Sequence, residues 1–312
     1  MGPLIIRRLL VSLPALIGVL FLCFALLQIV PTDPAQIIAG PDARPEVVAE
    51  IRKELGLDRS IPVQFVEYIG RVAQGDLGRS IISNKSVSEE LADTVGPTAE
   101  LMIASMVMAV PIGLLLGTLA AVRRGTAVDR IIMAISVAGV SMPVFFVGLI
   151  LIQYVGFHWG LLPFTGRTGP IWAGGLPSLI LPSLTLASVL VGPVARLTRT
   201  AVLEVLGADF VRTARAKGLR ESVVVVHHAL RNALIPVVTL VGLQAAYLLG
   251  GAVVTETMFS WPGVGRLAVG AIISSDFPTA QGAIMILALA FLLINLFVDV
   301  LYVYLDPRVQ HS

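Results

Sequence analysis

The stretch 207–236, GADFVRTARAKGLRESVVVVHHALRNALIP, decides how the rest of the chain is read. Arg212, Arg215, Lys217, Arg220 and Arg231 make it too polar to cross a bilayer, while its apolar content is too high for a disordered tail. At 3.6 residues per turn Phe210, Val211, Ala214 and Leu219 fall on one side of a helix, with Arg212, Arg215 and Lys217 turned elsewhere. Gly218 interrupts that helix near its end, and a second apolar stretch, Val223 to Leu230, starts after it. The pattern predicts a helix, a glycine turn and a second helix pressed on the inner membrane face as a rigid knob. A basic helix that merely grips anionic headgroups is the plainer alternative.

On both sides the chain turns apolar. Of 312 residues 56% are hydrophobic and 13% charged, and the mean hydropathy is +0.89. A water-soluble globule carries about 25% charged residues, so this chain dissolves mainly in lipid. A hydrocarbon core about 30 Å thick takes roughly 20 helical residues at 1.5 Å each. Six runs meet that need: 9–30, 98–122, 131–156, 176–195, 233–255 and 281–305. The first follows Arg7 and Arg8 but is too long for a signal peptide and lacks a small-x-small cleavage site, so it is read as a retained helix. The fourth carries Pro177, Pro182 and Pro193, which leaves its limits open. The lone cysteine, Cys23, excludes an intrachain disulfide and any zinc site built on paired cysteines, and reads as membrane packing.

Six crossings put the start, the 123–130 turn, the 196–232 segment and the tail on one side. That side holds thirteen Lys and Arg, whereas the two short loops opposite hold only Arg167 and Arg266. Long translocated segments are discounted in such a comparison, so both termini are expected in the cytoplasm. The chain divides into the first helix at 1–30, an outer segment at 31–97, a permeation core at 98–305 containing the 196–232 segment, and a tail at 306–312.

The outer segment has 11 acidic and 7 basic residues and reads as short helices. Arg44-Pro45-Glu46 opens one that runs to Leu55 and ends at Gly56; another runs from Pro62 to Ala73 and stops before Gly75. Ser86 and Glu89 have capping-box spacing ahead of Leu91. Its 67 residues serve either as a cap over the outer helix ends or as a docking surface for a soluble partner.

At the 207–236 stretch the sequence resembles the inner-membrane permease subunits of type I ABC importers, in particular the dipeptide/oligopeptide family. That family's cytoplasmic signature, the EAA motif, is close to D-[YF]-V-x-T-A-R-A-K-G-L followed by H-A-L-R-N-A-x-x-P. Asp209, Phe210, Val211, Thr213, Ala214, Arg215, Ala216, Lys217, Gly218 and Leu219 match the first part. His228, Ala229, Leu230, Arg231, Asn232, Ala233 and Pro236 match the second. Arg212 and Thr213 stand where the broader superfamily has Glu and Ala. LGLDRSIPVQF (55–65), GDLGRS (75–80), FSWPGVGRL (259–267) and DPR (306–308) look like the family's outer loop, last outer loop and carboxyl end. A long outer segment directly after the first helix resembles the B-type subunit.

The resemblance implies an all-α integral membrane fold of six transmembrane helices in a bacterial cytoplasmic membrane, with a small, mostly helical outer segment. It also implies an importer for peptides or similar solutes delivered by a soluble binding protein, with a second, homologous permease and two ATPase subunits that bind ATP and Mg. Asp209, Arg212, Thr213, Ala214, Arg215, Ala216, Lys217, Gly218 and Leu219 would form the ATPase-coupling segment. Ala214 and Ala216 would permit close approach, and Arg212, Arg215 and Lys217 would pair with acids on the ATPase rim. Gln244, Tyr247, Gly250 and Gly251 are candidates for the solute path. Dipeptides, longer peptides, glutathione, nickel chelates, haem and oligosaccharides are all carried within the family.

Three other classes stand against this. A self-contained pump needs a phosphate-binding loop with Gly-Lys-Ser/Thr; of three lysines only Lys85 precedes a serine, and Asn84 stands before it. No catalytic residue, cofactor or metal site is therefore expected in this chain. An ion-coupled secondary transporter would use Gln153, Gln244, Glu256, Asn295 or Asp299 inside the membrane. An intramembrane enzyme finds no support: His227 and His228 point about 100° apart on a helix, and neither HExxH nor GxSxG occurs.

Overall fold

The computed structural model describes residues 11, 14–25, 34–40, 43–54 and 56–305. Arg7, Arg8, Leu55, both ends of the first apolar run, and the tail with Asp306 to Arg308 lie outside the described residues. The helices are α1 (Pro14–Ala25), α2 (Pro34–Ala39), α3 (Pro45–Glu54), α4 (Ile61–Ala73), α5 (Val87–Val122) and α6 (Ala127–Ser141). Then follow α7 (Val144–His158), α8 (Leu176–Leu206), α9 (Asp209–Ala216), α10 (Glu221–Met258), α11 (Val264–Ile273) and α12 (Phe277–Leu305). Among the described residues α5, α8, α10 and α12 are long and apolar enough to cross a bilayer, and the α6–α7 pair makes a fifth crossing if counted as one. The first expected crossing is described only over α1.

The chain divides into two compact units, residues 1–96 with 263–292 and residues 97–262 with 293–312. In the first, Val87, Leu91, Val264, Ala268 and Ala283 form a buried cluster with Leu77 packed on it. A Cβ at Gly282 would lie 2.6 Å from Val87 Cγ1, so only glycine admits this approach. The GDLGRS loop turns at Gly75 and Gly78, both with positive φ. It is fixed by the buried Asp276 carboxylate, which accepts from Ser80 Oγ at 2.5 Å, the Ile81 N–H at 3.1 Å and Thr279 Oγ1 at 2.9 Å. Cys23 is buried, and its carbonyl accepts from Gln281 Nε2 at 2.9 Å. The short helix α11 falls where the sequence reading has only a loop, because Val264, Gly265, Ala268 and Ala271 make a buried helical stripe too short to stand out in a membrane-length window.

In the second unit α8 packs against α6, α7 and α10. Glycines set its spacing: a Cβ at Gly117 would lie 2.4 Å from the Ala195 carbonyl oxygen, and one at Gly192 would lie 2.5 Å from that of Ser136. Prolines act according to position. Pro182 and Pro193 sit inside an unbroken α8. Pro143 ends α6, because the residue before it, Met142, is held in extended backbone at φ −81°, ψ 129°. The expected straight third crossing, 131–156, is therefore two helices meeting at 105°. Two expected starts also lie earlier in the chain. The second crossing begins at Val87 rather than 98, running through Pro97, and the stretch Val223 to Leu230 leads without a break, through wide π turns over Val224–Leu230, into the fifth crossing, which is helical from Glu221.

Candidate coupling surface and solute groove

The 209–219 segment folds as one helical knob. Asp209 occupies the first turn of α9, where the helix dipole favours an acid, and accepts from Arg212 Nη1 at 3.3 Å. The far end closes with both bonds of a Schellman motif: the Gly218 N–H reaches the Arg215 carbonyl at 2.9 Å and the Leu219 N–H reaches Ala214 at 3.4 Å. Gly218 supplies the required left-handed backbone at φ +74°, and nothing lies within 4 Å of where a Cβ would stand. Its necessity is thus conformational, and any side chain there would project outward.

Val211 and Ala214 are buried with Val224, against Val205 and Leu206 at the end of α8. Beneath them Ala121, Ala201, Val202, Ala229 and Ala233 tie together the ends of α5, α8 and α10. Asp209, Arg212, Thr213, Arg215, Ala216, Lys217, Gly218 and Leu219 are exposed. Ala214 is turned inward, so its small size serves packing within the chain and not an approach to another protein. The expected single apolar face is also split. Phe210 is 47% exposed and Leu219 41%, because Phe210 stands about 100° around the helix from Val211 and Leu219 lies beyond the glycine turn. The Arg215 guanidinium grips Glu221 with Nη2–Oε1 at 2.6 Å and Nε–Oε2 at 3.1 Å. That hydrogen bonding pulls the Glu221 carboxyl below its ordinary range.

A second ion pair was not visible to sequence reasoning. Asp129, at the start of α6, accepts from Arg199 Nε at 2.6 Å and Nη2 at 2.8 Å, and from the Gly125 N–H at 2.9 Å. Arg199 above all, then the Gly125 amide, hold the carboxyl at about 2. The partners are 70 residues apart, and their only sequence trace is an acid alone in a basic turn. Toward the other end of the same unit, Arg167 bonds Glu100 through Nη2 at 2.7 Å and stacks 5.8 Å from the Trp261 ring centre. Trp261 Nε1 donates to the Pro97 carbonyl at 2.9 Å, and Thr98 Oγ1 to the buried Glu256 at 2.7 Å.

Of the path candidates, Gln244, Tyr247 and Gly251 line one cavity of about 230 Å³ beside the α6–α7 break, with Met142, Val144 and Val189. Gly250 is not on that cavity; it is exposed, with open space around it. Gly251 also serves packing, since a Cβ there would lie 2.8 Å from Leu186. His227 and His228 meet edge to face at 5.4 Å, and no cluster of three metal-ligating side chains occurs among the described residues.

Residues 113–311 match the family described as the binding-protein-dependent transport system inner membrane component, and residues 1–101 match its N-terminal counterpart. The chain belongs to this family. Over 99% of both chains it is 45% identical to the glutathione transport system permease protein GsiC of Salmonella choleraesuis (strain SC-B67), and equally to that of Escherichia coli (strain K12). Its fold is that of a solved inward-facing MetNI methionine ABC transporter chain, with a TM-score of 0.58 and 20% identity over 70% of this chain and 96% of that one. The protein is thus the multi-pass inner-membrane permease of a bacterial ABC importer, a transport subunit and not itself a catalyst. The ion-coupled alternative falls with that assignment.

Proposed function

We propose that this permease passes short peptides, glutathione among them, from a soluble binding protein to the cytoplasm, driven by separate ATPase subunits that engage the 209–219 knob. The supporting observation is the knob itself: a glycine-capped helix whose inner face is buried and whose outer face offers Phe210, Arg212, Arg215 and Lys217. A groove of an ATPase would take Phe210, and acids on its rim would take the cations. ATP and Mg would be bound there and not in this chain. A second, homologous permease would complete the route, and Gln244 and Tyr247 would face the solute. Both termini lie in the cytoplasm in this arrangement, the side carrying the excess of Lys and Arg. The substrate class is carried by the 45% identity to glutathione permeases along the full chain.

The test is uptake of radiolabelled glutathione into proteoliposomes holding the complex purified with its genomic neighbours. Uptake that requires the binding protein and internal ATP, and survives collapse of the proton gradient, is expected. Uptake that continues without ATP would refute the coupling.

A further inference from the structure

The cavity beside the α6–α7 break has a neighbour one helical turn away along the same two helices. On α10, Leu240, Gln244, Tyr247 and Gly251 recur at helical spacing on one face. On α8, Val189, Pro193, Arg196 and Thr200 do the same, and Pro193, Arg196, Leu197, Thr200 and Leu240 line a second, more open hollow. The two hollows follow one another one helical turn apart along α8 and α10, the first lined almost wholly by apolar residues and the second holding Arg196.

Among the described residues Arg196 is the only charged one lining either hollow. It lies one helical turn from Arg199, whose charge is taken up by Asp129, yet Arg196 is exposed and has no ion-pair partner among the described residues. α8 begins at Leu176, and twenty residues at 1.5 Å each cover about 30 Å, which puts Arg196 at the inner edge of the hydrocarbon. A guanidinium there reaches water either by snorkelling to the interface or through an open hollow, and Arg196 lines such a hollow with Thr200. Its fork of donors matches a carboxylate.

We infer that this pair of hollows is the chain's wall of the solute route and that Arg196, at its cytoplasmic mouth, is a binding residue for the carboxylate of the departing solute. The inference rests on the proposed function and adds a substrate requirement to it: a free carboxylate on the solute. Thr200 stands one turn further along the same face, where a thiol reports on the local charge and on occupancy.

The test uses the assembled complex in inside-out vesicles with Cys23→Ser and Thr200→Cys. The ratio of the new thiol's rates with a sulfonate-bearing methanethiosulfonate and with the trimethylammonium counterpart should exceed the same ratio for a free small thiol several-fold. Trialanine at millimolar concentration should slow the labelling, and trialanine amide should not. Arg196→Gln should abolish both preferences, and Arg196→Lys should restore the charge preference. Equal protection by acid and amide, no protection by either, or an unchanged reagent preference in Arg196→Gln would overturn the assignment. If the complex imports solute with ATP while labelling behaves in one of those ways, the Arg196 assignment alone fails. If it imports nothing with ATP, the function on which the assignment rests fails.

Discussion

Two polar regions of the second unit are built on opposite plans. Around Glu100 the polar groups face one another: Arg167, Trp261, Pro97, Thr98 and Glu256 are joined by bonds across 67 to 164 residues of sequence, with Trp261 and Glu256 buried. In the knob the apolar residues Val211, Ala214 and Val224 face inward, the polar groups face water, and the ion pairs join residues three and six apart. The first region uses its charges to hold distant parts of this chain together, while the second leaves its charges at the surface, the face that the proposed function gives to another protein. Substitutions should therefore separate stability from transport.

The largest effect on stability is expected from Glu100→Ala, which strands the mostly buried Arg167 and should cost about 3 kcal/mol, read as a fall in the unfolding midpoint in detergent. The largest effect on transport without such a fall is expected from Gly218→Asp. It forces a side chain onto left-handed backbone at a cost of about 1 kcal/mol and plants an acid where cations are presented, so ATP-driven uptake should drop at least roughly tenfold. Next come Phe210→Ala and Val211→Ala, adjacent but on different faces. The first should lower uptake several-fold and leave the stability within about 0.5 kcal/mol, and the second should lower the stability by about 2 kcal/mol. If their effects were exchanged, the division of the helix into an inner and an outer face would be wrong.

The ion pairs sharpen the comparison through pH. The Asp129 carboxyl is held at about 2, below its unfolded value of about 3.9. Its contribution is thus fully present above about pH 5 and is lost as pH falls toward 2. Asp129→Asn should lower the unfolding midpoint at pH 7, and the gap to wild type should close as the pH is brought down through that window. Glu221→Gln should give the smallest change, within about 0.5 kcal/mol at pH 7, since both partners are largely in water.

How far the sequence could be read follows the range of the forces involved. The long apolar runs, the glycine turn at Gly218 and the outer helices ending at Gly56 and before Gly75 depend on neighbours in sequence, and the structure has them. Proline was harder, because its effect depends on the residue before it: α8 continues through Pro182 and Pro193, while Met142 leaves the helical region and α6 ends at Pro143. In the site, the exposed knob was legible from its motif, but the inward turn of Ala214 depends on where α8 ends and Val224 begins. The Asp129–Arg199 and Glu100–Arg167 pairs join residues about two helices apart, and no periodicity records them.

The central claim is that the knob couples this chain to an ATPase, and the most direct measurement is ATP hydrolysis by the complex in nanodiscs, with and without loaded binding protein, for wild type and Gly218→Asp. The account predicts that loaded binding protein stimulates hydrolysis in wild type and that Gly218→Asp abolishes the stimulation while the complex stays assembled. Equal stimulation of both would contradict it.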